Sequence, residues 1–99
     1  MKIVRRIESR ERCAEAGWFA FDYMLDRKID KEFVISLRPL GAFVFLEMLS
    51  RPFFKIESEH FMIKGLLGDD FFRMAVHKDY MEKLTKMEEY VQELGDLRE

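Results

Sequence analysis

Apolar and polar residues alternate most regularly in the second half of the chain. Three segments show this alternation, residues 53–58, 60–66 and 70–77, and a period of two is typical of β-strands that bury one face. Only short polar connections separate the segments. The pattern therefore predicts a three-stranded antiparallel meander.

Turn residues predict the register of the second and third of these strands. Gly68-Asp69 has the glycine-first pattern of a two-residue type II′ turn. This turn would place apolar residues opposite each other on one face, with Gly65 leaving room for the Phe72 ring. The opposed pairs would be Phe61 with Val76, Ile63 with Met74, and Gly65 with Phe72.

A tight connection at Ser58-Glu59 predicts the register of the first and second strands. It would place Ile56 opposite Phe61 and Phe54 opposite Ile63. Both registers put the bulky apolar side chains on the same face. We therefore expect that face to lie against the core.

Helical spacing of apolar residues marks the segment after the first strand. Ser9 is a suitable N-cap, and residues 10–27 repeat apolar side chains every three or four positions. The aromatic stretch at 18–25 also fits a strand, and Gly17 weakens a helix. We predict an N-terminal helix over 10–27.

A second helix is predicted at the other end of the chain. Residues 79–95 carry apolar side chains at helical spacing. The segment begins with an Asp79-x-x-Glu82 capping box and ends at Gly95, a suitable C′ residue. We predict a C-terminal helix over 79–95.

The remaining segments complete the predicted fold. Residues 2–8 and 33–37 have the apolar and β-branched pattern of short strands. Residues 40–50 fit a short helix after Pro39, which we favour, or a turn at 38–41 followed by a strand at 43–45. The chain is thus predicted to be a single α+β domain over 1–99, with helices packed on an antiparallel sheet in two layers.

The composition is that of a folded globular chain. Its 99 residues suffice for one core, and hydrophobic residues account for 48% and charged residues for 36%. The chain has no asparagine and only one glutamine, Gln92. Together with the high charge content, this favours a thermophilic source.

Charge and cysteine content predict the environment of the protein. A net charge of −2 gives no bulk attraction to nucleic acid or to anionic membranes. The longest apolar run, Leu40 to Leu46, is too short to span a bilayer, and the N-terminus lacks the apolar segment of a signal peptide. A single cysteine, Cys13, fits a reducing compartment. We expect a cytoplasmic protein with no membrane contact.

Polar residues on the other face of the meander form the first candidate site. The predicted registers place Glu57 opposite His60 and His60 opposite His77, with directly opposed Cβ atoms about 4.5–5.5 Å apart. Two imidazoles and a carboxylate can bind a divalent transition metal or act as an acid–base pair. The alternative is that these residues are ordinary polar side chains at strand ends.

Cys13 is the second candidate. A helix N-terminus and the neighbouring Arg10 and Arg12 would lower the pKa of its thiol and favour a reactive thiolate. Free cysteine is, however, among the most often buried residue types and usually packs as a small hydrophobe. We favour the structural role.

The third candidate is a mixed basic and apolar surface on the same outer side of the meander. Cations at Lys64 and Arg73 should oppose each other, with Lys55 nearby. Such a face could stack single-stranded nucleic acid, which the net charge disfavours, or be covered by a helix or a second subunit that supplies carboxylates. The predicted interface residues are Phe53, Met62, Leu66, Phe71, Lys64 and Arg73.

The sequence favours a binding role over a catalytic one. Apolar residues are predicted on both sheet faces, and no catalytic motif stands out. We expect a non-enzymatic protein-interaction domain or subunit that self-associates and needs no cofactor. The alternatives are a metal-dependent or acid–base enzyme that uses Glu57, His60 and His77, and a single-stranded nucleic-acid-binding domain.

Overall fold

The structure is a computed structural model that describes residues 1–9 and 17–98. Within these residues, six strands form one antiparallel sheet in the order β1-β2-β6-β5-β4-β3. The strands are β1 (Ile3–Glu8), β2 (Trp18–Leu25), β3 (Ala42–Leu46), β4 (Phe53–Glu57), β5 (Phe61–Leu66) and β6 (Phe71–His77). Two α-helices, α1 (Lys31–Ser36) and α2 (Glu82–Arg98), and two 3-10 turns, Arg38–Leu40 and Lys78–Tyr80, complete the described elements.

The predicted two-layer α+β fold is confirmed. The helices lie on one side of the sheet, which we call the inner face, and the opposite side is the outer face. Side chains from both helical regions share one buried cluster with inner-face residues of the strands. The largest fully buried members are Tyr23, Phe33, Phe54, Phe72, Ile29, Leu37, Ile56, Ile63, Met74, Val34, Val76 and Val91.

The predicted helix over 10–27 is wrong where the structure describes it. Residues 10–16 lie outside the described residues, and Trp18–Leu25 is strand β2, which pairs with both β1 and β6. The alternation of side chains decides the outcome: Tyr23 and Leu25 are buried on the inner face, and Asp22, which precedes Tyr23, reaches Arg73 on the outer face. The apparent helical spacing came from aromatic residues that a strand accommodates equally well.

The predicted strand over 33–37 is also wrong, because residues 33–36 belong to α1 and Leu37 is its C-cap. Asp30 is the N-cap, and its Oδ1 accepts a hydrogen bond from the Phe33 amide at 2.8 Å. The short helix buries Phe33 and Val34 on the sheet. Capping and burial of one helix face therefore outweigh the strand propensity of these residues.

The favoured short helix over 40–50 is wrong, and the alternative with a turn and a strand is found. Pro39 lies in the 3-10 turn Arg38–Leu40, and β3 follows at Ala42–Leu46. At Gly41 the chain passes so close to β4 that a Cβ atom would lie 2.7 Å from the Glu57 carbonyl oxygen. The glycine thus permits the turn into β3.

The C-terminal helix is confirmed, but both predicted ends differ. It begins at Glu82, because Asp79 lies in the 3-10 turn and donates its amide to Nδ1 of His77 at 3.2 Å. It continues past Gly95, where an added Cβ would collide with the Met1 carbonyl oxygen. Gly95 therefore allows the N-terminal segment to pass close to the helix, and it does not mark the end of the helix.

The meander is confirmed as β4, β5 and β6, with one register correct. Phe61 opposes Val76 and Ile63 opposes Met74, as predicted. The Ser58 amide donates to the Phe61 carbonyl at 2.9 Å, so Glu59 and His60 form the tip of that turn. As a result β4 is displaced by two residues from the predicted register.

The displacement changes the partner of Phe54 but not its face. Phe54 opposes Gly65 rather than Ile63, and Ile56 opposes Ile63 rather than Phe61. An even displacement keeps every side chain on its original side of the sheet. The room left by Gly65 is therefore taken chiefly by the Phe54 ring, which an added Cβ would meet at 2.7 Å.

The β5–β6 turn depends on Gly68, as predicted, but has a different geometry. The Asp69 amide donates to the Leu66 carbonyl at 3.3 Å, and Gly68 has φ of 91°. Gly68 is thus the third residue of the turn, where a type II turn requires positive φ. The predicted type II′ turn at Gly68-Asp69 is therefore wrong.

Tyr23 is the one buried side chain of the described residues whose polar atom has no hydrogen-bond partner. Its ring stacks on Phe72, with centroids 5.4 Å apart. Burial raises the pKa of Tyr23 and outweighs the opposing effect of Arg6. Among the described residues, no helix has the length and apolar character needed to cross a membrane.

Candidate functional site

The outer face of the sheet carries most of the residues that the sequence marked as functional. Neither described α-helix packs on it, and its side chains stand in rows across neighbouring strands. Across the sheet, from one edge strand to the other, the outer-face residues are Arg5 and Ile7 on β1; Trp18, Ala20, Asp22 and Met24 on β2; Phe71, Arg73, Ala75 and His77 on β6; Met62, Lys64 and Leu66 on β5; Phe53, Lys55 and Glu57 on β4; and Ala42, Val44 and Leu46 on β3.

All six predicted interface residues lie on this face. Each is half-buried by its neighbours on the sheet. They are Phe53, Met62, Leu66, Phe71, Lys64 and Arg73. Their shared placement follows from the period of two along each strand, and their role at an interface stays a prediction.

A row of three cations crosses the middle of the outer face. Lys55 opposes Lys64 across β4 and β5, and Lys64 opposes Arg73 across β5 and β6. We call these three residues the basic row. Like charges that face each other on adjacent strands destabilise a sheet.

Carboxylates on the same face pair with the two ends of the basic row. Arg73 Nε lies 2.7 Å from Asp22 Oδ1, and its Nη2 lies 3.4 Å from Oδ2. Lys55 Nζ lies 3.1 Å from Glu57 Oε2. These two ion pairs come from the sheet itself and not from a covering helix of the described chain.

Apolar side chains flank the basic row on both sides. On one side Leu46 opposes Phe53, and Phe53 opposes Leu66. On the other side, Met62 opposes Ala75, which in turn opposes Ala20. The outer face is therefore charged along its middle and apolar beside it.

The two histidines are neighbours at one end of the outer face, as predicted. The His77 amide donates to the His60 carbonyl at 3.0 Å. The His60 ring stacks on Tyr80 with centroids 3.5 Å apart, and the His77 ring meets Trp18 edge-on at 5.8 Å. Both imidazoles are thus held by aromatic neighbours.

Glu57 does not join the histidines. It opposes Met62, because the β4 register is displaced, and its carboxylate pairs with Lys55. Nδ1 of His77 already accepts a hydrogen bond from the Asp79 amide. Over residues 1–9 and 17–98, no group of three or more histidine, cysteine or acidic side chains could hold a metal ion. The predicted metal role therefore has no support from the geometry.

Other residues fall outside the predicted site or were missed by it. Cys13 lies outside the described residues. Trp18, Asp22 and Tyr80 contribute to the outer face or its histidine end, but sequence reasoning overlooked them. The position of Asp22 could have been predicted from the alternation of inner and outer side chains along residues 18–25, but the predicted helix over 10–27 does not have this period of two.

Comparison of the chain with protein-family models, with curated proteins and with solved structures finds no match. The function must therefore be argued from the surface itself.

Proposed function

We propose that this chain is a non-enzymatic protein-interaction domain whose outer face binds an acidic, partly apolar surface of a partner protein. The observation that carries the proposal is the basic row, Lys55, Lys64 and Arg73, in register on three adjacent strands between apolar side chains. Acidic groups on a partner would complement this row, and the flanking apolar side chains would be buried with it.

The direct opposition of like charges in the basic row does not favour folding. Like charges that directly oppose each other on adjacent strands are destabilising, whereas opposite charges contribute about 0.2–1 kcal/mol. Lys64 takes part in two like-charge pairs, one with Lys55 and one with Arg73. Residues that lower the stability of the fold, as opposed like charges do, are expected at functional surfaces, where binding of a partner compensates for the lost stability.

The flanking residues supply the other half of a typical interface. Phe53, Leu66 and Phe71 are half-buried on the free protein, so a partner would remove further apolar area from water. Protein interfaces are enriched in aromatic residues and arginine at their centres. Phe53, Phe71 and Arg73 are residues of these types on the outer face, and Asp22 holds Arg73 in place.

A protein partner fits these charges better than a nucleic acid does. Lys55 and Arg73 lie beside carboxylates of the same face. Phosphates would have to approach Glu57 and Asp22 as well, and the whole chain has a net charge of −2. An acidic protein surface with apolar residues can instead align its carboxylates with the basic row and its apolar side chains with the flanking residues.

A selection from displayed random peptides, with the purified chain as bait, tests the proposal. We expect enriched peptides that combine aspartate or glutamate with large apolar residues. Lys64→Glu should weaken the binding of the selected peptides at least tenfold in calorimetry. Lys86→Glu is the matched control on α2, where Lys86 is exposed, and should leave their affinity unchanged.

Two results would overturn the proposal. One is the enrichment of peptides that bind Lys64→Glu and the original chain equally well. The other is salt-dependent binding of a single-stranded oligothymidylate that Lys64→Glu abolishes, which would assign the face to nucleic acid.

A further inference from the structure

Strand β3 forms one edge of the sheet and has an entirely apolar sequence. It runs Ala42-Phe43-Val44-Phe45-Leu46, and among the described strands it pairs only with β4. On its outer face, Val44 is 39% exposed and Leu46 is 37% exposed. Met48 and Leu49, in the turn that follows, are exposed as well.

The free side of β3 offers unpaired backbone groups. Alternate residues of an edge strand point their N–H and C=O groups away from the sheet. Within the described ranges, no hydrogen bond connects residues 42–46 to any element other than β4. An edge with this backbone and apolar side chains is a template for another strand.

The opposite edge of the sheet lacks these properties. Strand β1 carries Arg5, Arg6 and Glu8, and its pairing with β2 shifts register between Ile3 and Arg5. Charged side chains and bulges are the usual protections of an edge strand against pairing with another chain. One edge of this protein is thus protected, and the other is not.

The β3 edge is complementary to a second copy of itself. Around a two-fold axis at Val44, antiparallel pairing places Val44 opposite its own equivalent. The remaining pairs would be Phe43 with Phe45 and Ala42 with Leu46, each occurring twice. Every opposed pair is apolar, so no like charges meet and no charged side chain loses its hydration.

We propose that a second copy of this chain pairs with β3 in antiparallel fashion and extends the six-stranded sheet across a two-fold axis. Directly opposed residues of antiparallel strands share a face. The outer faces of both copies therefore join into one surface that carries two basic rows. The partner proposed above would then have two equivalent binding sites side by side.

The pairing also covers apolar residues beyond the strand. Met48 and Leu49 follow β3, and Pro39 and Leu40 precede it. Antiparallel pairing brings the residues after one strand beside those before the other. The exposed Met48 side chain, 81% accessible in the single chain, would lie near the second copy's 3-10 turn.

Sedimentation analysis of purified variants tests the pairing. The original chain should show a concentration-dependent equilibrium between 12.0 kDa and twice that mass. Val44→Glu should remain at the lower mass, because two carboxylates would meet at the two-fold axis. Within one copy the new carboxylate would face Lys55, the cross-strand neighbour of Val44, so the fold should be preserved in circular dichroism.

Val4→Glu provides the matched control on the protected edge. Val4 is 63% exposed on β1, so the same substitution adds the same charge at an apolar surface position. This variant should self-associate as the original chain does. Equal loss of dimer in both variants would contradict a specific role of β3.

Disulfide trapping tests the register independently. Val44→Cys is combined with Cys13→Ser, so that the chain has a single thiol. Opposed residues have Cα atoms about 4.5–5.5 Å apart, within the range of about 4.4–6.8 Å found for disulfides. Mild oxidation should therefore produce a covalent dimer rapidly, and Val4→Cys in the same background should react slowly.

Three outcomes would overturn the dimer proposal: an original chain that stays monomeric up to millimolar concentration, a Val44→Glu variant that still dimerises, or trapping at both edges at the same rate. None of them bears on peptide binding by Lys64. Failure of the dimer and failure of the proposed partner are therefore distinguishable.

Discussion

The two faces of the sheet follow the rules of β-structure to different degrees. On the inner face, opposed residues such as Ile63 and Met74 are apolar and fully buried. On the outer face, Lys64 lies between two other cations. The inner face is explained by folding alone. The outer face contains directly opposed like charges, which destabilise a sheet, and this difference is our reason for proposing that the outer face binds a partner.

The largest expected effect is a difference in the free energy of unfolding between substitutions at two adjacent residues of β5 whose side chains lie on opposite faces. Ile63→Ala should lower the free energy of unfolding by about 2–5 kcal/mol, since it leaves a cavity at a position with 0% exposure. Met62→Ala, on the half-buried outer face, should cost about 1 kcal/mol or less. Urea denaturation of both variants measures the difference, and similar losses would mean that the outer face is as well packed as the core.

A smaller loss is expected when a methyl group is added to the inner face. Gly65→Ala would place its Cβ 2.7 and 2.9 Å from two atoms of the Phe54 ring. Phe54 is fully buried, so its ring has little room to move. We expect a loss of about 1–3 kcal/mol.

A double variant separates overpacking from a general effect of alanine. Phe54→Leu removes the ring atoms that the new Cβ would meet. Its combination with Gly65→Ala should therefore be more stable than the sum of the two single effects predicts. Strict additivity would show that Gly65 does not serve the Phe54 ring.

Sequence patterns predicted the fold best where alternation and turn chemistry agreed. The β5–β6 register was correct because apolar alternation and Gly68 pointed to the same pairing, even though the turn type differs. The β4–β5 register slipped by two residues because Ser58, Glu59 and His60 offer two equally short turns. Nothing local to that turn distinguishes them.

The wrong assignments share a physical cause. Residues 33–37 and 18–25 contain similar mixtures of aromatic and aliphatic side chains, yet the first segment lies in or next to a helix and the second is a strand. The Asp30 cap decides the first and pairing with two neighbouring strands decides the second. Long-range pairing of this kind is not visible in a short sequence window.

The candidate site was predicted in part. The period of two placed Lys64, Arg73 and Phe53 on one face, and the structure places them together. The Glu57–His60 pairing depended on the β4 register and was wrong with it. The unprotected edge of β3 was overlooked, because residues 40–50 were assigned to a helix.

The smallest expected effect tests the central claim, that the basic row serves binding and not folding. The measurement is the free energy of unfolding of Lys64→Glu in urea, with Lys86→Glu on α2 as the control. The substitution replaces two like-charge pairs by two opposite-charge pairs, so stability should be unchanged or higher by up to about 1 kcal/mol. A loss of more than about 1 kcal/mol would contradict the claim, because Lys64 would then be a residue that the fold requires.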